Sequence, residues 1–228
     1  MNALILMTRI PIPGKTKTRL MDLLTGSECA QLHMAFLKDL FATFEDLKDI
    51  DLFMTYTPED SFFIIENMIP DSMKHFPQQG EDLGEKMFNA INQVFQKGYK
   101  KVILIGSDIP DLSAEDIQTS FKVLEECDLV LGPTYDGGYY LVGMKASNEK
   151  IFHIPKKWGG KSVLESTIEI GNEQDLSIGL SQKYRDIDTK EDLFEFERKN
   201  NHSKASNTMK WILDWRRKDA KRSFTRTN

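Results

Sequence analysis

The chain has 228 residues, 40% hydrophobic and 29% charged, which is room for one α/β domain with a sizeable core and ordinary for a globular protein. Its formal charge of -5 is unevenly spread: residues 198–228 carry ten Lys and Arg against two Asp, leaving twenty basic against thirty-three acidic residues, or -13, in residues 1–197. Cys29 and Cys127 lie far apart outside any CxxC pair, the four histidines have no i, i+4 spacing, and the first apolar run is too short for a leader or a membrane span. A cytoplasmic protein with packed thiols and no zinc site is therefore expected.

Ala3 to Met7 is an uninterrupted apolar run, read as a strand buried on both faces. It empties into Thr8 to Leu20, where Pro11, Pro13 and Gly14 exclude regular structure and Arg9, Lys15, Lys17 and Arg19 concentrate four cations beside the hydroxyls of Thr16 and Thr18. Such a loop can cradle phosphate or be an ordinary solvated basic loop. It has neither the GxxxxGK[ST] nor the GxGxxG spacing.

Ser27 is placed to cap a helix to about Lys48, with Leu32, Phe36, Leu40, Phe44 and Leu47 on one stripe. Asp51 to Tyr56 reads as a second strand, and Pro58 opens a short helix. A turn from Phe76 leads to a helix whose Leu83, Met87, Ala90, Ile91, Val94 and Phe95 face inward and whose stop is Gly98. Gly84 costs that helix about 1 kcal/mol relative to Ala, so it points to close approach of a ligand or of another backbone, or equally to a packing glycine.

Val102 to Leu112 organises the chain. The apolar strand ends at Gly106, Ser107 and Asp108 follow at its carboxyl end, and Pro110 keeps the strand from continuing. In open α/β sheets ligands bind along that rim. Asp108 can hold a hard cation such as Mg²⁺ or Mn²⁺ through oxygen, or serve as a turn cap. Ser113 and Asp116 then form a capping box for a helix to about Glu126.

Asp128 to Gly132 is another strand, followed by Asp136-Gly137-Gly138, ordinarily a hairpin turn, which here brings a carboxylate, an approachable backbone and Tyr139 with Tyr140. Trp158-Gly159-Gly160 is a second glycine-aromatic turn before a helix near Lys161 to Glu169. A strand near Tyr184 leads to Asp188, just ahead of a helix capped by Thr189 and Asp192, where negative charge is stabilised. Asn200 to Asn207 is linker-like, and Met209 to Trp215 reads as one short amphipathic helix in the basic tail.

Three segments together, Pro11 to Leu20, Gly106 to Leu112 and Gly132 to Leu141, resemble a bacterial family of candidate GT-A-type glycosyltransferases, some of whose members are named for arsenosugar biosynthesis. Its wider relatives are nucleotide-diphospho-sugar transferases and small nucleotidyltransferases, including the guanylyltransferases of molybdenum cofactor and coenzyme F420 synthesis. Asp82 to Met87 is similar to a further family motif, with Lys86 where Arg is more usual. The resemblance spans residues 1 to about 195. It implies a single GT-A-like (Rossmann-like) α/β domain over residues 1–197, with a mixed, mostly parallel sheet and helices on both faces, followed by the basic tail 198–228.

Carried over residue by residue, the resemblance makes Asp108 a catalytic, metal-binding carboxylate completed by Asp188, with Mg²⁺ or Mn²⁺ as cofactor. Arg9, Lys15, Lys17 and Arg19 become the phosphate clamp, with Gln79, Leu83 and Gly84 on the nucleotide. Asp136 becomes catalytic on the acceptor side, beside Gly137, Gly138, Tyr139 and Trp158. The DxD signature is absent because position 106 is Gly.

The leading expectation is a metal-dependent glycosyltransferase with a nucleotide-diphospho-sugar donor, in which Asp136 orients or deprotonates the acceptor hydroxyl. The alternative keeps the site and couples an NTP to a phosphorylated small molecule with release of pyrophosphate. A non-catalytic nucleotide-binding module is the second alternative. Expected partners are a nucleotide sugar or NTP and a small-molecule acceptor, with no nucleic acid and no membrane span. The sequence leaves the oligomeric state open.

Overall fold

The computed structural model describes residues 1–154, 162–200 and 205–226, with side chains as far as residue 220. Seven strands form one sheet in the order β3-β2-β1-β4-β6-β5-β7. They are β1 (Asn2–Arg9), β2 (Ile50–Thr57), β3 (Lys74–Pro77), β4 (Lys101–Gly106), β5 (Leu129–Pro133), β6 (Tyr139–Met144) and β7 (Ile178–Leu180). Every neighbouring pair is parallel except the two that involve β6, which runs against β4 and β5.

The two apolar runs take the central places because both of their faces are covered. Leu4, Leu6, Ile103 and Ile105 pack on one side beneath α1 (Gly26–Glu45) and α3 (Ala114–Glu126). Ala3, Ile5, Val102 and Leu104 pack on the other beneath α2 (Leu83–Phe95) and α4 (Val163–Asn172). This is a single α/β Rossmann-like domain with a mixed, mostly parallel sheet, of the GT-A-like kind. Met7 pairs with Gly106, so the carboxyl ends of β1 and β4 lie side by side and release the basic loop and the acidic turn at one rim.

A third apolar cluster lies on the outer side of α1. Cys29, Leu32 and Phe36 meet Leu193 and Phe196 of α5 (Lys190–Lys199) and Met209, Ile212 and Trp215 of α6 (Ser206–Arg226). The helix expected over Met209 to Trp215 thus runs 21 residues. It starts earlier because Asp39, a buried carboxylate of α1, accepts from the backbone N–H groups of Asn207 and Thr208, both at 2.8 Å. Among the described residues no helix is long and apolar enough to cross a membrane.

Other boundaries differ from the sequence reading for local reasons. Thr25, not Ser27, caps α1: its hydroxyl accepts from Glu28 N at 3.2 Å while the Glu28 carboxylate accepts from Thr25 N at 2.9 Å. That helix ends at Glu45 rather than near Lys48. Asp82 caps α2, and Leu83 at its first position is 43% exposed rather than facing inward. Pro58 precedes a 3-10 turn, Glu59–Ile64. Near Tyr184 there is one bridge to Thr134 in place of a strand. Thr189 and Asp192 do form a capping box at α5.

Candidate functional site

A cavity of about 670 Å³ opens at the rim where β1 and β4 end. Arg9, Lys15, Lys17, Arg19, Leu83, Asp108, Asp136, Gly138, Tyr139 and Asp188 line it. Gln79, Gly84 and Gly137 are outside its lining. Instead Gln78 lines it and donates to the Thr8 carbonyl at 3.0 Å, while the Gln79 carbonyl accepts from Asn89 at 3.0 Å and Gly84 is buried in the first turn of α2. Trp158 lies outside the described residues.

The four loop cations have separate surroundings. Arg19 is 70% exposed, whereas the Lys17 side chain is 4% exposed. The Lys17 Nζ lies 2.7 Å from Asp108 Oδ1 and 3.0 Å from Asp188 Oδ1, and donates to the Ile187 carbonyl at 2.7 Å. Asp108 and Asp188, 80 positions apart, therefore meet on one ammonium. Ile187 N, donating to the Asp108 carbonyl at 2.9 Å, pins the later segment to the β4 turn. Burial works against the charged form of Lys17, and the two carboxylates outweigh it, holding the ammonium above its ordinary range. Partial desolvation within the cavity works to raise the Asp108 carboxyl, and the Lys17 ammonium outweighs it to hold the group below its usual range.

Sequence spacing did not single out His33, yet its imidazole ties three elements together. Thr16 Oγ1 is 2.7 Å from Nδ1, and Ser107 Oγ and Thr8 Oγ1 are 3.0 and 3.3 Å from Nε2. The Thr8 and Ser107 hydroxyls are themselves 3.0 Å apart. One buried ring thus braces the end of β1, the basic loop and the residue before Asp108. Burial pulls its pKa down to about 4, Asp108 opposing and Lys17 assisting. The available signal was position: His33 follows Leu32 and precedes Phe36 on a helix whose Cys29, Phe36, Leu37 and Leu40 are buried.

On the far side, Asp136 closes the β5–β6 turn. Its Oδ1 accepts from Thr134 Oγ1 at 2.5 Å and from Gly138 N at 3.0 Å, and Gly137 supplies the positive φ of 93° that the turn requires. Asp186 also lines the cavity and was not singled out by sequence. Burial, then the negative charges of Asp136, Asp188 and Asp108, raise its carboxyl to about 6.

Two carboxylate oxygens converging on one cation are a donor set that suits Mg²⁺ or Mn²⁺, which commonly take one or two carboxylates plus phosphate. Among the described residues no group of three or more His, Cys, Asp and Glu is disposed to hold a metal.

Residues 40–159 match the model of a family described as uncharacterized protein conserved in bacteria, DUF2064. The chain belongs to this family. A candidate nucleotide-diphospho-sugar transferase from Desulfovibrio desulfuricans G20, known as a crystal structure, is similar to this DUF2064 protein at 32% identity and a TM-score of 0.84, over 94% of this chain and 95% of its own. The 2-phospho-L-lactate guanylyltransferase of Methanocaldococcus jannaschii is 28% identical over 201 residues, 85% of this chain and 82% of its own. A cytidylyltransferase from Leptospira borgpetersenii shares the fold at 12% identity and a TM-score of 0.55, over 96% of each chain. With the first two of these likenesses spanning nearly its whole length, the DUF2064 protein is an enzyme of the transferase class.

Proposed function

We propose that the chain is a nucleotidyltransferase that joins an NTP to a phosphorylated small molecule and releases pyrophosphate. The observation that carries this reading is the 28% identity to 2-phospho-L-lactate guanylyltransferase over 85% of the chain, which reverses the order of the two reactions expected from sequence. An acceptor phosphate oxygen bonds the α-phosphorus, the bond from that phosphorus to the α–β bridging oxygen breaks, and pyrophosphate leaves with the bridging oxygen. Lys15 and Arg19 bind the leaving phosphates and stabilise their developing charge. Asp108 and Asp188 would hold Mg²⁺ or Mn²⁺, which when bound supplies charge neutralisation at the phosphates.

The bonding of Asp136 supports the same choice. A sugar hydroxyl must lose a proton to attack, whereas a phosphate monoester, with a second pKa of about 6, is already largely ionised at neutral pH and needs no base. Asp136 spends Oδ1 on its own turn, which suits a residue that shapes the acceptor wall around Gly138 and Tyr139. Glycosyl transfer from a nucleotide-diphospho-sugar is the second reading, favoured by the 32% identity to the Desulfovibrio protein and carrying with it the arsenosugar resemblance. We place either reaction in the cytoplasm, in keeping with two buried free thiols. A screen of NTPs against small phosphorylated acids, scored by pyrophosphate release, tests the first reading. Release of NDP from nucleotide sugars, with no pyrophosphate from any NTP, would replace it with the second.

A further inference from the structure

An ammonium has three N–H donors, and that of Lys17 has three acceptors: the Ile187 carbonyl at 2.7 Å, Asp108 Oδ1 at 2.7 Å and Asp188 Oδ1 at 3.0 Å. No N–H is left over for a phosphate. The carboxylates remain open to the cavity, at 41% and 34% exposure, while the ammonium between them is nearly closed off from solvent. Arg19 Nη1 lies 3.5 Å from the other oxygen of Asp188, so each of these two carboxylates already has a positive partner, with Asp186 adding negative charge beside them. A divalent cation arriving alone would have to displace those partners and would strand a buried ammonium, which is strongly unfavourable. A triphosphate alters both terms, because its oxygens are new acceptors for Lys17 and its charge draws the cation in.

We propose that Lys17 is a displaceable counter-ion: it holds Asp108 and Asp188 together until nucleotide enters, then transfers to phosphate and yields both carboxylates to a divalent cation. The flexible four-carbon stem of lysine allows such a move. The inference rests on the nucleotide reading of the cavity. Its consequence is reciprocal linkage, in which the cation tightens nucleotide binding by the same factor as nucleotide tightens the cation.

The test titrates Mn²⁺ into the full chain, reading free Mn²⁺ by electron paramagnetic resonance, with and without the α,β-methylene analogue of GTP. For wild type the analogue should raise Mn²⁺ affinity at least about tenfold. Lys17→Met should bind Mn²⁺ alone at least about tenfold more tightly than wild type, and the enhancement by the analogue should shrink correspondingly. Lys17→Gln, which keeps two N–H donors, repeats the measurement if Lys17→Met does not fold. Unchanged Mn²⁺ affinity in the folded variant, with the analogue still binding wild type, would overturn the counter-ion role and leave the nucleotide reading standing. Failure of wild type to bind the analogue even with Mn²⁺ would overturn the nucleotide reading itself.

Discussion

His33 braces three elements of the rim and is held neutral there by burial. Its pKa of about 4 against an ordinary 6.5 means that between these values the unfolded chain binds a proton that the folded chain refuses. Stability from this group is therefore full above pH 6.5 and falls as pH drops, by roughly 3 kcal/mol at pH 4. Urea unfolding across pH 7 to 4 should show that decline in wild type and a flatter curve in His33→Gln, which keeps hydrogen bonding without the charge; an unchanged slope would assign the acid sensitivity elsewhere. Asp136→Asn separates the two reactions at the same scale. An amide oxygen can accept both turn bonds, so nucleotidyl transfer should stay within about threefold of wild type, whereas a lost general base costs roughly 10²- to 10⁴-fold. Of these distinctions the sequence carried the residue types and not their partners. Lys17 and Arg19 are equivalent cations in the written chain; only the left-handed backbone at Lys17, φ 49°, and the return of residues 186–188 to the β4 turn make one buried and the other open.

At the level of elements, legibility followed burial. The uninterrupted runs of β1 and β4 were readable because both faces are covered, and the start of α5 because Thr189 and Asp192 lie three apart. The strands β3 and β7 were not readable, being four and three residues long and only partly buried, with pairing set by neighbours distant in sequence. The length of α6 was hidden for a related reason: its cap is supplied by Asp39, 168 positions before Asn207. Asp39→Ala should cost roughly 2 kcal/mol, since it removes three hydrogen bonds to a buried carboxylate at a helix N-terminus. Trp215, 6% exposed, stacks with Trp211 at an interplanar angle of 2° on that helix. A red-shifted tryptophan emission with greater acrylamide quenching in Asp39→Ala is the expected readout, and unchanged emission at equal stability would show that apolar packing alone holds α6.

Across the whole molecule, likeness to relatives identifies a transferase, and the strand order sets a basic loop opposite acidic side chains at one rim. The fold class was legible, and a cavity does open at the rim where the apolar strand empties into Asp108. The choice of reaction was not legible, because sugar transfer and nucleotidyl transfer both require bound phosphates, a cation and an acceptor pocket, and the pattern of residues that meets one meets the other. What separates them is the bond that breaks. The most direct measurement incubates the enzyme with Mg²⁺, an α-³²P-labelled NTP and a phosphorylated acid such as 2-phospho-L-lactate, and follows the label together with pyrophosphate. Nucleotidyl transfer should give a labelled, phosphatase-resistant product carrying nucleoside and acceptor joined through a diphosphate, with one pyrophosphate formed per product. An intact labelled NTP alongside NDP release from a nucleotide sugar would contradict it.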